Sequence, residues 1–168
     1  MPSVRVSKKF NNSVYFLTFS TKNLYYIFDR QYRWNILADS LKYCQANKGL
    51  KLFHFVFMLN HIHLIVFSED ISGFIRDFKC FTAKKILENI KMTEPAVLKI
   101  FLNNDGEYEF WSKTNMPKLI ETQDFFEQKM QYIQNNPVKK NYVIRPEDWY
   151  WSSANPSCEI KIDDAFSL

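Results

Sequence analysis

LKLFHFVFMLNHIHLIVF, residues 50–67, is the longest nearly apolar stretch of the chain. Leu50 to Leu59 is almost continuous in apolar and aromatic side chains. Asn60 then interrupts, and His61 to Phe67 is apolar again apart from its histidines. Each run is too short for a core helix and is rich in Phe, Val and Ile, so the pattern reads as two adjacent strands joined by a tight turn. Apolar residues at odd and even positions alike imply central strands covered on both faces. Upstream, Ser13–Ser20 (SVYFLTFS) reads as a further strand. Asp29 is placed to cap a helix running to Asn47, with Trp34, Leu37, Leu41 and Cys44 as its apolar stripe and Gly49 just past its end. Downstream, Ser72 is the expected N-cap of a helix reaching Ile90, with Ile71, Phe74, Phe78 and Phe81 on its buried side. Pro95 favours a short helix within Thr93–Leu102. Asp105-Gly106 signals a turn, and Tyr108–Trp111 reads as a strand. Thr122–Asn135 is helical, striped by Phe126, Met130 and Ile133, and Pro137 is expected to stop it. The tail from Pro146 is irregular, its Trp149, Tyr150 and Trp151 folding back as a lid or core patch. With no repeat, linker or low-complexity tract, residues 1–168 read as one α+β domain.

Composition narrows the function classes. The chain has 168 residues, 46% apolar and 24% charged, ordinary for a globular protein with a sizeable core. No apolar run reaches the roughly 18 residues of a membrane-spanning helix, and the charged N-terminus lacks a signal-peptide core. The three glycines (Gly49, Gly73, Gly106) are too scattered for a phosphate-cradling loop. Cys44, Cys80 and Cys158 form no Cys-x-x-Cys pair, which points to free thiols and a reducing, cytoplasmic setting. A net charge of +4 permits a nucleic-acid partner without demanding one. Aromatic residues are 17% of the chain; most belong to a core, and exposed ones could stack on unpaired bases.

Two constellations carry chemistry. His61 and His63 are two apart on a strand and so project from the same face, the geometry needed to share one metal ion. The plainer alternative is two histidines satisfied by hydrogen bonds. The pair nonetheless interrupts an otherwise apolar strand, and buried polar rings need partners. Tyr132 and Asn136 are four apart near a helix end and so lie on one face. Together they could supply a nucleophile and a third metal ligand, or simply a half-buried ring and a helix cap.

The motifs around these residues resemble a known family. Asn60-His61-Ile62-His63-Leu64-Ile65 is similar to the His-hydrophobe-His signature of the IS200-like single-tyrosine (HUH) transposases. Tyr132-Ile133-Gln134-Asn135-Asn136-Pro137-Val138 resembles the tyrosine motif of the branch associated with repetitive extragenic palindromes (REP). Trp149-Tyr150-Trp151-Ser152-Ser153-Ala154 matches that branch's Trp-x-x-Ser-Ser ending, Phe78–Lys84 its lysine-bearing helix, and Trp111 its recurring tryptophan. Order and spacing agree over nearly the whole chain. Met58-Leu59-Asn60 lacks the proline that commonly precedes the first histidine. Asn141-Tyr142-Val143 stands where many relatives have Gly-Leu-Val, a mild change because asparagine tolerates the left-handed conformation.

The resemblance implies a central, mainly antiparallel sheet flanked by helices, a ferredoxin-like HUH endonuclease fold. It implies that His61, His63 and Asn136 bind a divalent metal, Mg²⁺ or Mn²⁺, and that Tyr132 is the nucleophile. The activity would be metal-dependent cleavage and strand transfer on hairpin-bearing single-stranded DNA through a 5′-phosphotyrosine, which needs no nucleotide cofactor. Arg76, Lys79, Lys84 and Lys85 on one helix, and Lys139 and Lys140 after the tyrosine, are candidate DNA contacts; a solvated helix face is the other reading of the first four. The expected setting is a bacterial cytoplasm, with the nucleoid as workplace, and a monomer rather than a homodimer. Two other classes stay open: a domesticated relative that binds DNA hairpins without cutting, and a zinc hydrolase that uses water.

Overall fold

A computed structural model describes residues 11–115 and 117–165 of the chain. The elements follow in the order β1 (Ser13–Ser20), α1 (Arg33–Asn47), β2 (Lys51–Phe57), β3 (His61–Ser68), α2 (Ile71–Thr93), β4 (Lys118–Ile120) and α3 (Gln123–Lys139), with short 3-10 turns between them. The strands form one sheet in the order β2-β3-β1-β4, and every pairing is antiparallel. A β-α-β-β-α-β succession in this order is the ferredoxin-like arrangement, followed here by α3. The expected α+β class and antiparallel sheet are therefore what the chain adopts.

Strand alternation sorts the sheet residues to two faces. Tyr15, Leu17 and Phe19 of β1, Leu52, Phe55 and Phe57 of β2, and Ile62, Leu64 and Val66 of β3 share a core with α1 and α2. Phe16, Phe53, Val56 and Ile65 point the other way and pack with Phe126, Met130 and Ile133 of α3. Each fully buried Phe, Leu or Ile contributes roughly 1.5–3 kcal/mol, so both helix layers are held chiefly by these apolar faces. A one-residue bulge at Phe53 shifts the β2–β3 register between Leu52 and His54. Phe53 and His54 consequently both meet the Phe126 ring, at 6.1 and 5.7 Å between centroids.

Several sequence expectations shift. β3 is central, but β2 ends the sheet, and its outer edge is covered by the tail instead of by a fifth strand. Phe57 N donates to Trp151 O (2.8 Å) and Ser153 N to Phe55 O (2.9 Å). Ser153 Oγ accepts from Phe55 N, and Trp149 Nε1 donates to Phe57 O. The Trp-x-x-Ser-Ser segment is thus a clasp that satisfies an edge otherwise open to foreign strands. Trp151 is a core residue, while Tyr150 stays exposed. Helix α1 begins at Arg33, not after Asp29, because Gln31 and Tyr32 take left-handed conformations (φ 57° and 58°). The buried Arg33 guanidinium then ties that start to Asn89 and Glu94 at the far end of α2. Asp70, not Ser72, caps α2 by accepting from Gly73 N; the helix therefore starts earlier, and it runs on to Thr93. Phe81 is exposed, one step off the buried stripe. Tyr108–Trp111 makes only isolated bridges, not a strand. The three-residue β4 was not anticipated.

Pro137 does not stop α3, which continues to Lys139. A proline forfeits its own amide bond and crowds the preceding turn. Here Asn136 and Pro137 are both buried, and the last turn is closed by Lys140 N to Asn136 O (3.1 Å) and Tyr142 N to Pro137 O (3.0 Å). Asn141 then leaves the helix with φ 58°, as its stand-in for glycine requires.

Candidate active site

The face of the sheet turned toward α3 carries the histidine pair. In register, His63 lies opposite Thr18 and His61 opposite Ser20. The two imidazoles are 4.8 Å apart between centroids. Tyr132, on the sheet-facing side of α3, places its ring 5.1 Å from that of His63. Phe16 completes the cluster, stacked on His63 at 5.4 Å and edge-on to Tyr132 at 5.9 Å. Residues separated by about seventy positions in sequence thus meet in one place. Asn136, one turn after Tyr132, is buried on the same helix.

Hydrogen bonds fix which ring nitrogen faces the site. Asn60 donates through Nδ2 to Leu24 O (2.8 Å), which orients its amide so that Oδ1 faces His61 Nδ1 (2.7 Å). Oδ1 can only accept, so His61 carries its proton on Nδ1 and keeps the Nε2 lone pair free. His63 Nδ1 contacts Thr18 Oγ1 at 2.8 Å. Outer partners on Nδ1 that leave Nε2 as a donor of electrons are the usual preparation of a metal-ligating imidazole. Burial pushes the His61 pKa down to about 4, helped by the Lys140 charge. It pushes His63 down to about 3, helped by His61 and Lys129. Both rings are therefore neutral near pH 7, the state a metal needs.

Two atoms of the predicted ligand set are buried without any hydrogen-bond partner: His63 Nε2 and Asn136 Oδ1. Unsatisfied buried polar atoms cost roughly 1–3 kcal/mol each, and a cation bound by these atoms would relieve them. An imidazole nitrogen and an amide oxygen are competent ligands for a divalent ion. These residues fit the metal that the resemblance implies.

The candidate DNA contacts divide by face. Lys139 and Lys140 are exposed at the end of α3, Lys139 Nζ lying 5.7 Å from the Tyr132 ring. Arg76, Lys79, Lys84 and Lys85 are on α2, across the sheet from Tyr132. Arg76 is paired with Asp77 and Lys85 with Glu88. Lys79 is half-buried, and its ammonium is tied to Ser112 O (3.0 Å) and to the Asn115 side chain. Lys84 is exposed. The structure also brings in residues no motif marked: Thr18, Phe16 and Lys129. Strand alternation places Thr18 and Phe16 on one face, but only the β1–β3 register says which histidine they meet. Lys129 lines an open groove of about 400 Å³ with Gln128, Gln131, Tyr132, Asn135 and Lys139.

A sheet-borne imidazole pair thus faces a helix-borne phenol. The family model described as "Transposase IS200 like" matches residues 9–136, which contain His61, His63, Tyr132 and Asn136. The chain belongs to the IS200-like transposase family. Among solved structures, a REP-associated tyrosine transposase bound to a REP hairpin is similar over 85% of this chain and 77% of that one (17% identity, TM-score 0.66). A putative transposase from Deinococcus radiodurans R1 matches over 73% and 88% (19% identity, TM-score 0.49). A bacterial tRNA(His) guanylyltransferase-like protein in complex with GTP matches over 87% and 72% (11% identity, TM-score 0.47). No curated protein matches the chain. The three cysteines are free thiols, and among the described residues no helix is long and apolar enough to cross a membrane.

Proposed function

We propose that the chain is a metal-dependent single-stranded DNA endonuclease and strand transferase that acts on hairpin-bearing DNA through a 5′-phosphotyrosine at Tyr132. The observation that carries this reading is the approach of Tyr132 to His63 (5.1 Å between rings), taken with two orphaned ligand atoms, His63 Nε2 and Asn136 Oδ1. His61, His63 and Asn136 would hold Mg²⁺ or Mn²⁺, which when bound polarises a phosphoryl oxygen and offsets developing negative charge. Tyr132 Oη forms a bond to phosphorus, the bond from phosphorus to the 3′ oxygen breaks, and the phenol's proton is lost as a 3′-hydroxyl is generated. Storing the phosphoester in the protein lets a later 3′-hydroxyl reverse the step without ATP. Phe16 holds the phenol and the His63 imidazole at a fixed spacing by contacting both rings. A hairpin as the bound feature is suggested by the structural relative solved with one. Nucleophile and ligands come from one chain, which supports action as a monomer, since no second copy need supply the tyrosine.

The test incubates purified protein with labelled hairpin DNA bearing single-stranded flanks and Mn²⁺. A covalent adduct that vanishes in Tyr132→Phe, with binding retained, is the expected result. Binding without adduct under any divalent metal would instead indicate a hairpin-binding module. Cleavage that survives Tyr132→Phe would indicate a hydrolase using water.

A further inference from the structure

We propose that Lys129 anchors the scissile phosphate beside Tyr132; this rests on the reading of Tyr132 as the nucleophile. Lys129 lies three residues before Tyr132 on α3, hence on the same side of the helix. Its Nζ is 4.9 Å from the Phe16 ring centroid, 5.3 Å from Phe125 and 5.4 Å from Tyr132. Its ammonium lies among those ring faces, and no carboxylate pairs with it among the described residues. The same holds for Lys118, Lys139 and Lys140. Several other basic residues are ion-paired: Lys48 and Arg76 share Asp77, Lys42 meets Asp39 and Glu159, and Arg145 meets Asp148.

Lys129 and Lys139 thus set positive charge without a carboxylate partner beside the Tyr132 ring. Lys129 is the member of this group that is partly withdrawn from water, and Lys118 adds repulsion. Ring faces offset an ammonium's lost hydration only modestly. An anion seated in the groove would do so more strongly, through charge-assisted hydrogen bonds. For attack, phosphorus must come within about 3–3.5 Å of Tyr132 Oη, and the groove that Tyr132 shares with Lys129 is where that phosphate would sit. A phosphodiester's non-bridging oxygens are acceptors for a compact, three-donor ammonium.

The experiment first maps the cleaved phosphodiester from the wild-type adduct. Adduct formation under single-turnover conditions, and metal-free binding by anisotropy over roughly 50–300 mM salt, are then measured for wild type, Lys129→Gln, Lys129→Met and Lys129→Arg. Each is repeated with a neutral methylphosphonate at the mapped position. With native DNA, Lys129→Gln and Lys129→Met should slow the adduct about 10- to 100-fold. Their binding should lose about 0.7 from the slope of log affinity against log salt, and Lys129→Arg should restore most of both. With methylphosphonate DNA the wild-type advantage should disappear, because the partner charge is gone. Melting temperatures report whether each variant is folded. Adduct rates within twofold of wild type, or an advantage that persists undiminished on methylphosphonate DNA, would overturn the inference while leaving Tyr132 as nucleophile. A wild type that forms no adduct overturns the parent reading and takes this inference with it.

Discussion

Replacing Thr18 with valine removes one hydroxyl while keeping a β-branched side chain of the same shape in the middle of β1. In the folded protein that hydroxyl is the partner of His63 Nδ1, at 2.8 Å. His63 is only 4% exposed, and its other nitrogen is already unpartnered. Phe16 stacks on one side of the ring and Tyr132 meets it edge-on, so water has little access to replace the lost bond. The cost is therefore that of a buried polar atom left unsatisfied, about 1–3 kcal/mol. For a chain of this length that corresponds to a melting temperature lower by about 2–4 °C per kcal/mol. The same change frees the His63 ring to rotate or to exchange tautomers, so Mn²⁺ affinity should fall about 10- to 100-fold. Thr18→Ser, which retains the hydroxyl, should lose little of either. Urea denaturation of the metal-free protein gives the first quantity and calorimetric titration with Mn²⁺ the second. If Thr18→Val were as stable as wild type and bound Mn²⁺ equally well, Thr18 would not orient His63, and the prepared-ligand argument would fail.

Two further outcomes follow from the same geometry. His54, His61 and His63 are all held below the ordinary histidine range by burial, to about 4, 4 and 3. Below pH 6.5 the unfolded chain takes up protons that the folded one refuses, so metal-free stability should be level above that pH. It should then fall toward pH 4, with a slope approaching about 1.4 kcal/mol per pH unit for each histidine. Urea midpoints measured across this range would show no such fall if the rings were solvated. At Asn141, where the chain leaves α3 with φ 58°, alanine should cost about 1–2 kcal/mol while glycine should be nearly neutral; thermal denaturation of the two variants checks the difference.

Periodicity made most of the framework legible before any coordinates. The β2–β3 hairpin, β1 and, Phe81 apart, the stripes of α1, α2 and α3 lie where the apolar spacing puts them, because burial of a face is a repeating demand on sequence. Non-repeating features escaped it. β4 has three residues, too few for an alternation to register, and exists because β1 offers it a pairing edge. Pro137 looked like a terminus because the rule concerns an isolated helix; packing of Asn136 and Pro137 carries the turn through. Phe81 continues the spacing of Ile71, Phe74 and Phe78, yet it falls just outside the arc that α2 buries.

The site divides in the same manner. That His61 and His63 share a face follows from strand geometry alone, and that Tyr132 and Asn136 share one follows from helix geometry alone. Both are local consequences of covalent spacing. Their meeting is not local. It depends on α3 crossing the face of the sheet opposite α1 and α2, and on a register that sets Thr18 against His63. The same packing left Lys129 unpaired beside Tyr132 and drew the α2 cations to the other side. Spacing along a chain fixes directions within an element; only the packing of one element on another fixes distances between them, and charge compensation is a matter of distance.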